Sequence, residues 1–549
     1  MSKNLVIVES PAKAKTIEKF LGPDYVVKSS VGHIRDMPKK DMGVSIENDF
    51  QPTYAVSSDK KKVVADLKKS AKSASKIFLA TDEDREGEAI AWHLQQALSL
   101  DSDTPRIVFH EITKGAITEA ISNPRTINTD LVDAQQARRI IDRLVGFEIS
   151  PVLWRKVSGA RSAGRVQSPV VRLVVERERE ISAHSPVSTY KVKANLANKN
   201  NQNLEVRLSK EFNSKEEALS FAEDLIKAEL KVDLVETKPS KRSPKAPFIT
   251  STLQQEASQK LGFSVKQTMS IAQNLYREGA ITYMRTDSLN MSEVAITAAE
   301  QEIVTKYGKQ FHQARRYKTT SSGAQEAHEA IRPTDLTKPT ILGLDDQSSK
   351  LYSLIYKRTL ASQMSDAQLQ KTKVSINISG RSEHFIADGE VLSFAGFLEV
   401  YDYMSSDDKL LPEVSKNDLL ILTDMSSRES FSRAKPRYTE ASLVKEIEQM
   451  GIGRPSTFAS MITTVQDRNY VVKDTREGVQ RDYQVIEITN GVISQSTQTE
   501  TTGTEKNKLF PTNVAYLLVD FLLKNFRNII GYEFTANLES DFDLIAEES

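Results

Sequence analysis

Residues 1–150 alternate short apolar runs with helical patterns. The runs at 5–8, 76–80 and 106–109 have the length of strands, and helical patterns follow the first two. Strands that alternate with helices usually pair in parallel, so this region is predicted to form an α/β domain with a parallel sheet. The carboxyl ends of its strands would share one crevice, which is where open α/β sheets bind ligands.

Acidic side chains follow the first two predicted strands. Glu9 comes directly after the first strand, and Asp82, Asp84 and Glu86 alternate after the second. Carboxylates this close repel each other unless a cation neutralises them, and all-oxygen ligands suit Mg²⁺. The sequence therefore predicts a magnesium site. The alternative is a solvated acidic loop that caps the helix predicted at 89–98, where the helix dipole favours anions.

A tyrosine and an arginine lie two residues apart in the segment 278–288. Alternation along an extended segment would place Tyr283 and Arg285 on one face. Tyrosine can act as a covalent nucleophile, and the planar guanidinium of arginine matches phosphate oxygens. The pair therefore suits attack on a phosphate. The alternative is a half-buried strand with a core tyrosine and a surface arginine.

Basic residues concentrate between residues 138 and 172, where eight bases stand against two acids. The whole chain is balanced, with 74 basic and 74 acidic residues, so a nucleic-acid role must rest on such local clustering. Small residues flank Arg161 and Arg165, which would let a phosphate backbone approach closely, and Trp154 could stack on a base. The alternative is a basic helix face with a buried tryptophan.

Two helical stretches resemble each other. Leu253, Glu256, Gln259, Gly262 and Thr268 match Leu443, Glu446, Gln449, Gly451 and Thr457 when one position is skipped before the glycine. Each stretch predicts a helix, a glycine turn, a second helix and a strand, with Ile281 matching Tyr470. Such a pair could contact DNA, and the alternative is chance similarity between amphipathic helices.

Two further segments could bind a phosphate. In 451–457, a helix start after glycines would offer N–H groups, hydroxyls and a guanidinium. In 325–333, His328 lies among acids and an arginine and could donate to a phosphate oxygen, although a lone histidine is usually structural.

The length of 549 residues is too great for one hydrophobic core and suggests roughly three or four domains. The segment 238–247 contains three prolines and is predicted to be an extended linker. The predicted domains are an α/β domain at 1–150, whose part 37–63 is expected to pack with the basic domain; a basic helical domain at 151–186 and 435–549; a β-rich domain at 187–247 and 366–434; and a helical domain at 248–365 that carries Tyr283.

The composition excludes several classes of protein. The chain has no cysteine, which rules out disulfides, thiolate zinc sites and cysteine nucleophiles in it and favours a reducing cytoplasm. No apolar run approaches the ~20 residues of a membrane span, and the first residues do not form a signal peptide. A soluble protein is expected. The chain also lacks the glycine-rich GxxxxGK[ST] loop that binds nucleotide phosphates.

Seven motifs, in order, resemble those of the type IA DNA topoisomerases, particularly the bacterial members. They are found at 5–16, 31–36, 82–88, 162–168, 281–288, 328–333 and 451–457. The likeness covers essentially the whole chain. It implies a Toprim α/β domain that carries the acids, within a four-domain toroid with winged-helix-like units and a β-rich arch.

The resemblance also implies roles for the residues. Tyr283 would attack a DNA phosphate, leaving a 5′-phosphotyrosine and a free 3′-hydroxyl. Arg285 and Lys13 would offset the negative charge of that phosphate. Glu9 would exchange a proton with the 3′-oxygen, and His328 would orient the phosphate. The magnesium ligands would be Glu9, Asp82, Asp84 and Glu86. The single DNA strand would be bound by His33, Arg138, Arg161, Arg165, Asp287, Arg454, Ser456, Thr457 and Arg468.

The activity implied by the resemblance is relaxation of negatively supercoiled DNA. No ATP would be needed, because the phosphotyrosyl bond conserves the energy of the phosphodiester. A monomer associated with the bacterial nucleoid is expected. Many bacterial members continue into zinc ribbons or basic tails beyond the position of Ser549. Without cysteine, this chain would have no zinc ribbon. We therefore expect it to relax DNA more weakly than a member with such a tail.

Three alternatives remain open at this stage. One is a topoisomerase III-like decatenase that is also active on RNA, and another is a non-catalytic clamp for single-stranded DNA. The third, a Toprim nuclease or primase, would have no use for Tyr283. Nearly 200 residues separate Tyr283 from the acids. If it is the nucleophile, it must face the acidic crevice across a domain interface, shielded from solvent.

Overall fold

A computed structural model describes residues 3–318, 328–401 and 410–547 of the chain. Residues 325–327 of the segment predicted around His328 lie outside these ranges. Among the described residues, no helix has the length and apolar character needed to cross a membrane.

The N-terminal region contains a three-stranded parallel sheet in the order β2–β1–β7. Residues 5–8 of β1 are buried, as expected of a strand covered on both faces. The elements of this region are β1 (Asn4–Val8), α1 (Pro11–Leu21), β2 (Tyr25–Ser29), β3 (Arg35–Asp36), β4 (Val44–Ser45), β5 (Gln51–Pro52), β6 (Ala55–Val56), α2 (Lys61–Ser73), β7 (Ile77–Leu79), α3 (Arg85–Leu98) and α4 (Lys114–Ser122).

The predicted third strand at 106–109 forms only one parallel bridge, between Leu79 and Arg106. The backbone of Arg106 also pairs with that of Arg125. Its buried guanidinium donates to the carbonyl oxygens of Thr81 and Asp82 at 2.9 and 2.6 Å and pairs with Glu88 at 3.1 Å. These side-chain hydrogen bonds hold the acidic loop after β7 in place, in addition to the backbone bonds between Leu79 and the segment.

Two long helices, α5 (Thr129–Lys156) and α6 (Gln167–Ala183), follow. The helix α5 runs through the domain boundary predicted at residue 150. Its Arg143 donates to the carbonyl oxygens of Asp41 and Met42 at 2.8 and 3.0 Å, so part of the segment 37–63 packs against this basic helix.

The middle of the chain gives strands, then helices, then strands again. Its elements are β8 (Ser188–Ala197), β9 (Asn203–Leu208), α7 (Lys215–Leu225), β10 (Leu230–Arg242), α8 (Thr250–Leu261), α9 (Val265–Arg277), α10 (Glu293–Tyr307), α11 (Asp346–Ser362), β11 (Ala367–Ile378), β12 (His384–Phe394) and β13 (Leu419–Phe431). The C-terminal part contains α12 (Glu440–Gln449), α13 (Phe458–Asp467), β14 (Val471–Arg476), β15 (Val479–Thr489), β16 (Val492–Thr502), β17 (Glu505–Pro511), α14 (Asn513–Asn525) and α15 (Tyr532–Glu547).

Strands from distant parts of the chain form one eight-stranded sheet in the order β10–β11–β12–β9–β8–β13–β15–β16. Two predictions are corrected here. Residues 238–242, predicted as linker, belong to β10, because an edge strand tolerates Pro239. Residues 479–502, assigned to the basic helical domain, form β15 and β16, because β15 pairs with β13 and buries alternate residues of its second half.

The two similar helical stretches pack against each other, α8 on α12 and α9 on α13. The backbone N–H of Ala280 donates to Leu275 O after the first pair, as that of Tyr470 donates to Val465 O after the second. Tyr470 therefore corresponds to Ala280 and not, as predicted, to Ile281. The predicted alignment skipped one position before the glycine. Because the loop after Gly451 is longer than the loop after Gly262, the ends of the second helices are again aligned without that skip. Only the second copy continues into a strand, β14.

The buried apolar residues in the described part of the chain form four clusters. One of them crosses from one face of the parallel sheet to the helices around α9, joining Val6 and Phe109 with Tyr276 and Tyr283. The α/β region and the helical region that carries Tyr283 therefore share a continuous core. We call their contact zone the seam.

Candidate active site

Tyr283 lies at the seam and faces the acidic loop. Its side chain is 2% exposed. Its backbone N–H donates to His110 O at 2.8 Å, and its hydroxyl donates to Asp84 Oδ2 at 2.7 Å. Tyr283 thus contacts the α/β region through both its backbone and its side chain. This is the geometry that a nucleophile at a domain interface requires.

The surroundings of Tyr283 keep its hydroxyl protonated. Burial, and then the charges of Asp84 and Asp82, raises its pKa well above the usual range. The guanidinium of Arg285 lies 3.6 Å from Asp84 Oδ2, and the ring of Tyr276 packs edge-on with its centroid 5.2 Å away. A hydroxyl with so high a pKa could act as a nucleophile only if an acceptor took its proton, and Asp84 is already in contact with it.

A buried lysine organises the other half of the site. Lys13 is fully buried, and its Nζ lies 3.1 Å from Glu9 Oε1 and 2.8 Å from Asp82 Oδ1. Ser10 caps the helix that carries it, and Pro11 begins that helix, which suits the fixed φ of proline. Burial alone would lower the pKa of Lys13, but the carboxylates of Asp82 and Glu9 raise it, so the ammonium stays charged.

Glu9 and Asp82 differ in protonation. Burial, together with the charge of Asp82, raises the pKa of Glu9 to about 7. Burial also disfavours the charged form of Asp82, but Lys13 outweighs it and lowers the pKa of that carboxyl. Near neutral pH, a proton on this pair therefore resides on Glu9 while Asp82 is ionised.

The two remaining acids begin α3. Asp84 caps this helix by accepting from Gly87 N at 2.8 Å. Glu86 lies 2.5 Å from His33 Nε2 and accepts from Gln135 at 3.2 Å. Burial would raise the pKa of Glu86, but His33 and Gln135 lower it to about 2.

The donor set fits magnesium in its chemistry. Glu9, Asp82, Asp84 and Glu86 all line one cavity of about 760 Å³. Within residues 3–318, 328–401 and 410–547, however, no three acidic or histidine side chains converge closely enough to form a ready-made metal site. Each acid is held instead by a lysine, a tyrosine or a histidine. Mg²⁺ binds through one or two carboxylates plus water and phosphate, so these residues suffice to hold it.

The chain was compared with protein families and with known proteins. The family described as "DNA topoisomerase" matches residues 126–503, and the Toprim domain matches residues 4–112. The chain belongs to the type IA DNA topoisomerase family. It is 43% identical to DNA topoisomerase 1 of Streptomyces coelicolor, over 99% of this chain and 60% of that protein, and 42% identical to DNA topoisomerase 1 of Campylobacter jejuni, over 100% and 76%.

The fold agrees with this family. A solved structure of full-length topoisomerase I from Thermotoga maritima has a TM-score of 0.84 and 37% identity, and the match covers 99% of this chain and 86% of that one. The predicted Toprim domain with a parallel sheet, and the mixed α/β architecture with a β-rich sheet, are thereby confirmed. The chain spans 60% of the Streptomyces protein and 64% of the DNA topoisomerase 1 of Vibrio cholerae.

Other predicted site residues line three cavities. A second cavity, of about 110 Å³, adjoins Asp84 and Arg285 and is also lined by Arg138, Asp287, His328, Arg454 and Ser456. His33 and Thr457 line the larger cavity with the acids. A third cavity, of about 610 Å³, lies along the basic helix and is lined in part by Lys39, Trp154, Arg165 and Arg468.

Several predicted strand-binding arginines already have partners. Arg454 pairs with Asp543 at 2.6 Å, and Arg138 with Glu539 at 3.1 Å. Arg165 pairs with Asp142 and Glu539 at 2.8 and 3.1 Å, and its side chain is fully buried. A guanidinium nitrogen of Arg161 donates to Asp467 O at 3.3 Å. In this conformation Arg165 therefore supports the structure and is not available at the surface.

Sequence reasoning missed the residues that close the seam. Arg332 pairs with Glu111 across it at 3.2 Å and with Glu329 at 2.8 Å. The ring of His110 contacts Glu83, whose hydrogen bond raises the pKa of that histidine. His110 follows the apolar run at 106–109, at the carboxyl end of a predicted strand, and that position was the available signal.

Proposed function

We propose that this chain cleaves and rejoins one strand of DNA through Tyr283. The observation that carries the proposal is the 2.7 Å hydrogen bond from the Tyr283 hydroxyl to Asp84 across the seam. It joins a nucleophile to the acidic loop of a Toprim domain, with two cationic side chains close by. Such a contact has no evident use in a passive clamp for single-stranded DNA.

In the cleavage step, Tyr283 Oη forms a bond to phosphorus while the bond from phosphorus to the 3′-oxygen breaks. The tyrosine proton passes to Asp84, which is already its hydrogen-bond acceptor. Glu9 gives its proton to the leaving 3′-oxygen, and a pKa of about 7 suits it to act as a general acid near neutral pH. The products are a 5′-phosphotyrosine and a free 3′-hydroxyl.

Two cations would stabilise the charge that develops on the phosphate. Arg285 is placed beside Asp84 and offers a planar set of donors. Lys13 is held by Glu9 and Asp82 and keeps its charge although buried. Fixed cations in a water-poor site stabilise a transition state more strongly than they would in water.

Rejoining is the reverse step. The 3′-hydroxyl gives its proton to Glu9 and its oxygen forms a bond to phosphorus, while the bond from phosphorus to Tyr283 Oη breaks and Asp84 returns its proton to the tyrosine. Asp82, Asp84 and Glu86, with Glu9, would hold Mg²⁺, which when bound would neutralise negative charge around the phosphate. Since the phosphotyrosyl bond conserves the energy of the phosphodiester, no ATP enters the reaction.

Repeated cleavage, strand passage and rejoining would relax negatively supercoiled DNA. Support for this comes from the relatives that carry the name DNA topoisomerase 1. The substrate would be single-stranded at the cleavage site, and we expect a monomer that acts on chromosomal DNA in the cytoplasm. Comparing plasmid relaxation with unlinking of catenated circles separates this activity from that of a decatenase.

A trapping experiment tests the nucleophile. A single strand labelled at its 3′ end is incubated with the protein and quenched with detergent or alkali, which leaves the covalent adduct on the labelled 3′ fragment. Tyr283→Phe is expected to abolish the adduct. Tyr276→Phe is the matched control, because its ring packs against Tyr283 while its hydroxyl makes no hydrogen bond within the described part of the chain. An adduct that persisted in Tyr283→Phe would overturn the assignment.

A further inference from the structure

The helix α15 places acidic side chains against the predicted strand-binding arginines. It packs along α5, and it carries Glu539 and Asp543 one helical turn apart. A rise of about 1.5 Å per residue separates these positions by about 6 Å along the helix axis. Together they pair with Arg85, Arg138, Arg165 and Arg454.

Asp543 pairs with two arginines of the cavity that Asp84 and Arg285 also line. Its Oδ2 accepts from Nε and Nη2 of Arg454 at 3.1 and 2.6 Å, and its Oδ1 pairs with Arg85. The remaining nitrogen of Arg454 donates to the backbone at Gly451 and Gly453. Every guanidinium nitrogen of Arg454 therefore already donates a hydrogen bond while Asp543 is in place, and only one N–H, on Nη2, is left over. All three side chains line the cavity that also contains Asp84 and Arg285.

The two acids differ in how firmly they are held. The side chains of Asp543, Arg85 and Arg454 are 10%, 21% and 23% exposed, so water reaches this cluster. Glu539 and Arg165 are both 0% exposed. Ion pairs that water reaches are weak and exchange readily, whereas removing one partner of a buried pair is strongly destabilising. The pairs of Asp543, whose arginine partners water reaches, should therefore exchange more readily than the fully buried pair of Glu539 with Arg165.

We infer that Asp543 stands where a DNA phosphate binds, and that a strand phosphate displaces it from Arg85 and Arg454 when the strand enters the site. Glu539 is the anchor that keeps α15 in position, together with Thr535, whose hydroxyl donates to Arg165 O at 3.2 Å. A phosphate offers the same kind of charged oxygens as the carboxylate and can take over its charge-assisted hydrogen bonds. This inference rests on the proposed function, because it requires a single strand to bind at this cavity.

The test measures the affinity of a labelled single-stranded oligonucleotide in the non-cleaving Tyr283→Phe background. Adding Asp543→Asn removes the competing charge and is expected to tighten binding roughly three- to tenfold. Asp541→Asn is the matched control, since it makes the same charge change at an exposed position of the same helix. The gain should disappear when Arg454→Ala is added. Glu539→Gln is expected to lower the melting temperature without tightening binding.

The outcomes separate this inference from the proposed function. If the Tyr283→Phe parent does not bind the oligonucleotide, both are overturned. If the parent binds and Asp543→Asn gains no more affinity than Asp541→Asn, only the inference is overturned. The inference also fails if Asp543→Asn lowers the melting temperature and gains no affinity, since the carboxylate would then be a structural support of Arg454.

Discussion

Two neighbouring cavities share Asp84, Glu86 and Arg285 and hold their charges in different ways. We call the side of the larger cavity with Glu9 and Asp82 the inner wall, and the side of the smaller cavity with Asp543 the outer wall. On the inner wall, Lys13 joins Glu9 and Asp82, with side-chain exposures of 0%, 14% and 11%, and the cation remains between two acids. On the outer wall, Asp543 is as little exposed as those two acids, at 10%, but its arginine partners are 21% and 23% exposed. The difference between the walls therefore lies in the cations. Charges needed for a reaction must keep their geometry, while charges that bind a long polyanion must exchange partners. The contrast therefore suits the inner wall to the proposed reaction and the outer wall to the proposed binding of a DNA strand.

The largest expected effect comes from breaking the inner wall. Lys13→Met would leave two buried carboxylates without their cation and is expected to cost about 3–5 kcal/mol of stability. Urea unfolding measures the loss. The matched control is Lys15→Met on the exposed face of the same helix, where a change within about 0.5 kcal/mol is expected. Equal small losses for both variants would show that the inner cluster is solvated, and the contrast between the walls would fail.

An intermediate effect is expected at the seam between the walls. A Cβ at Gly279 would lie 2.4 Å from Ile112 O, and its φ of +77° already disfavours other residues. Gly262 has a φ of +70° but no atom within 4 Å of the added Cβ, so it isolates the cost of the backbone conformation. We expect Gly262→Ala to cost about 1 kcal/mol and Gly279→Ala about 2 kcal/mol more. Gly279→Ala should also lower the yield of covalent adduct.

Thermal or urea unfolding of both glycine variants measures the loss of stability. The yield of covalent adduct is measured by trapping at a temperature where each variant remains folded. Equal stability losses together with equal adduct yields would mean that the approach of Gly279 to Ile112 does not contribute to closing the site.

The smallest effect is expected away from both walls, in the third cavity along the basic helix. Trp154 is 61% exposed, and its ring nitrogen donates to Arg161 O at 2.5 Å, which leaves the ring face open. If a base stacks there, Trp154→Leu should weaken oligonucleotide binding by about 1 kcal/mol, or roughly fivefold. Trp154→Phe should retain most of the affinity. Unchanged binding by Trp154→Leu would place the strand elsewhere.

Much of the fold followed from local patterns. The strands at 5–8 and 76–80, the helices after them and the two helix pairs around Gly262 and Gly451 could be predicted because their apolar spacing and caps lie within a few residues. The wrong predictions concern segments whose structure depends on contacts with residues far away in the sequence. Residues 106–109 form a single parallel bridge to β7 and a second bridge to Arg125, and residues 238–242 extend a strand because an edge position tolerates proline.

The candidate site was predicted in part for the same reason. The motifs identified Tyr283, the acids and the arginines as separate short segments. They carried no information on the acids of α15, because Glu539 pairs with an arginine 374 residues away. Nor did they indicate that His110 and Glu111 meet the Tyr283 region at the seam.

The sequence by itself determined which residues can do the chemistry: a tyrosine beside an arginine, acids at strand ends, and a family whose motifs occur in order. Only the tertiary structure decided which partner each of them has. In the folded chain, Tyr283 contacts Asp84, which is 199 residues away in the sequence. Lys13 lies between Glu9 and Asp82, and Arg454 pairs with Asp543. The physical reason is that secondary structure depends on neighbours along the chain, whereas the pairing of charges depends on which surfaces the shared core brings together.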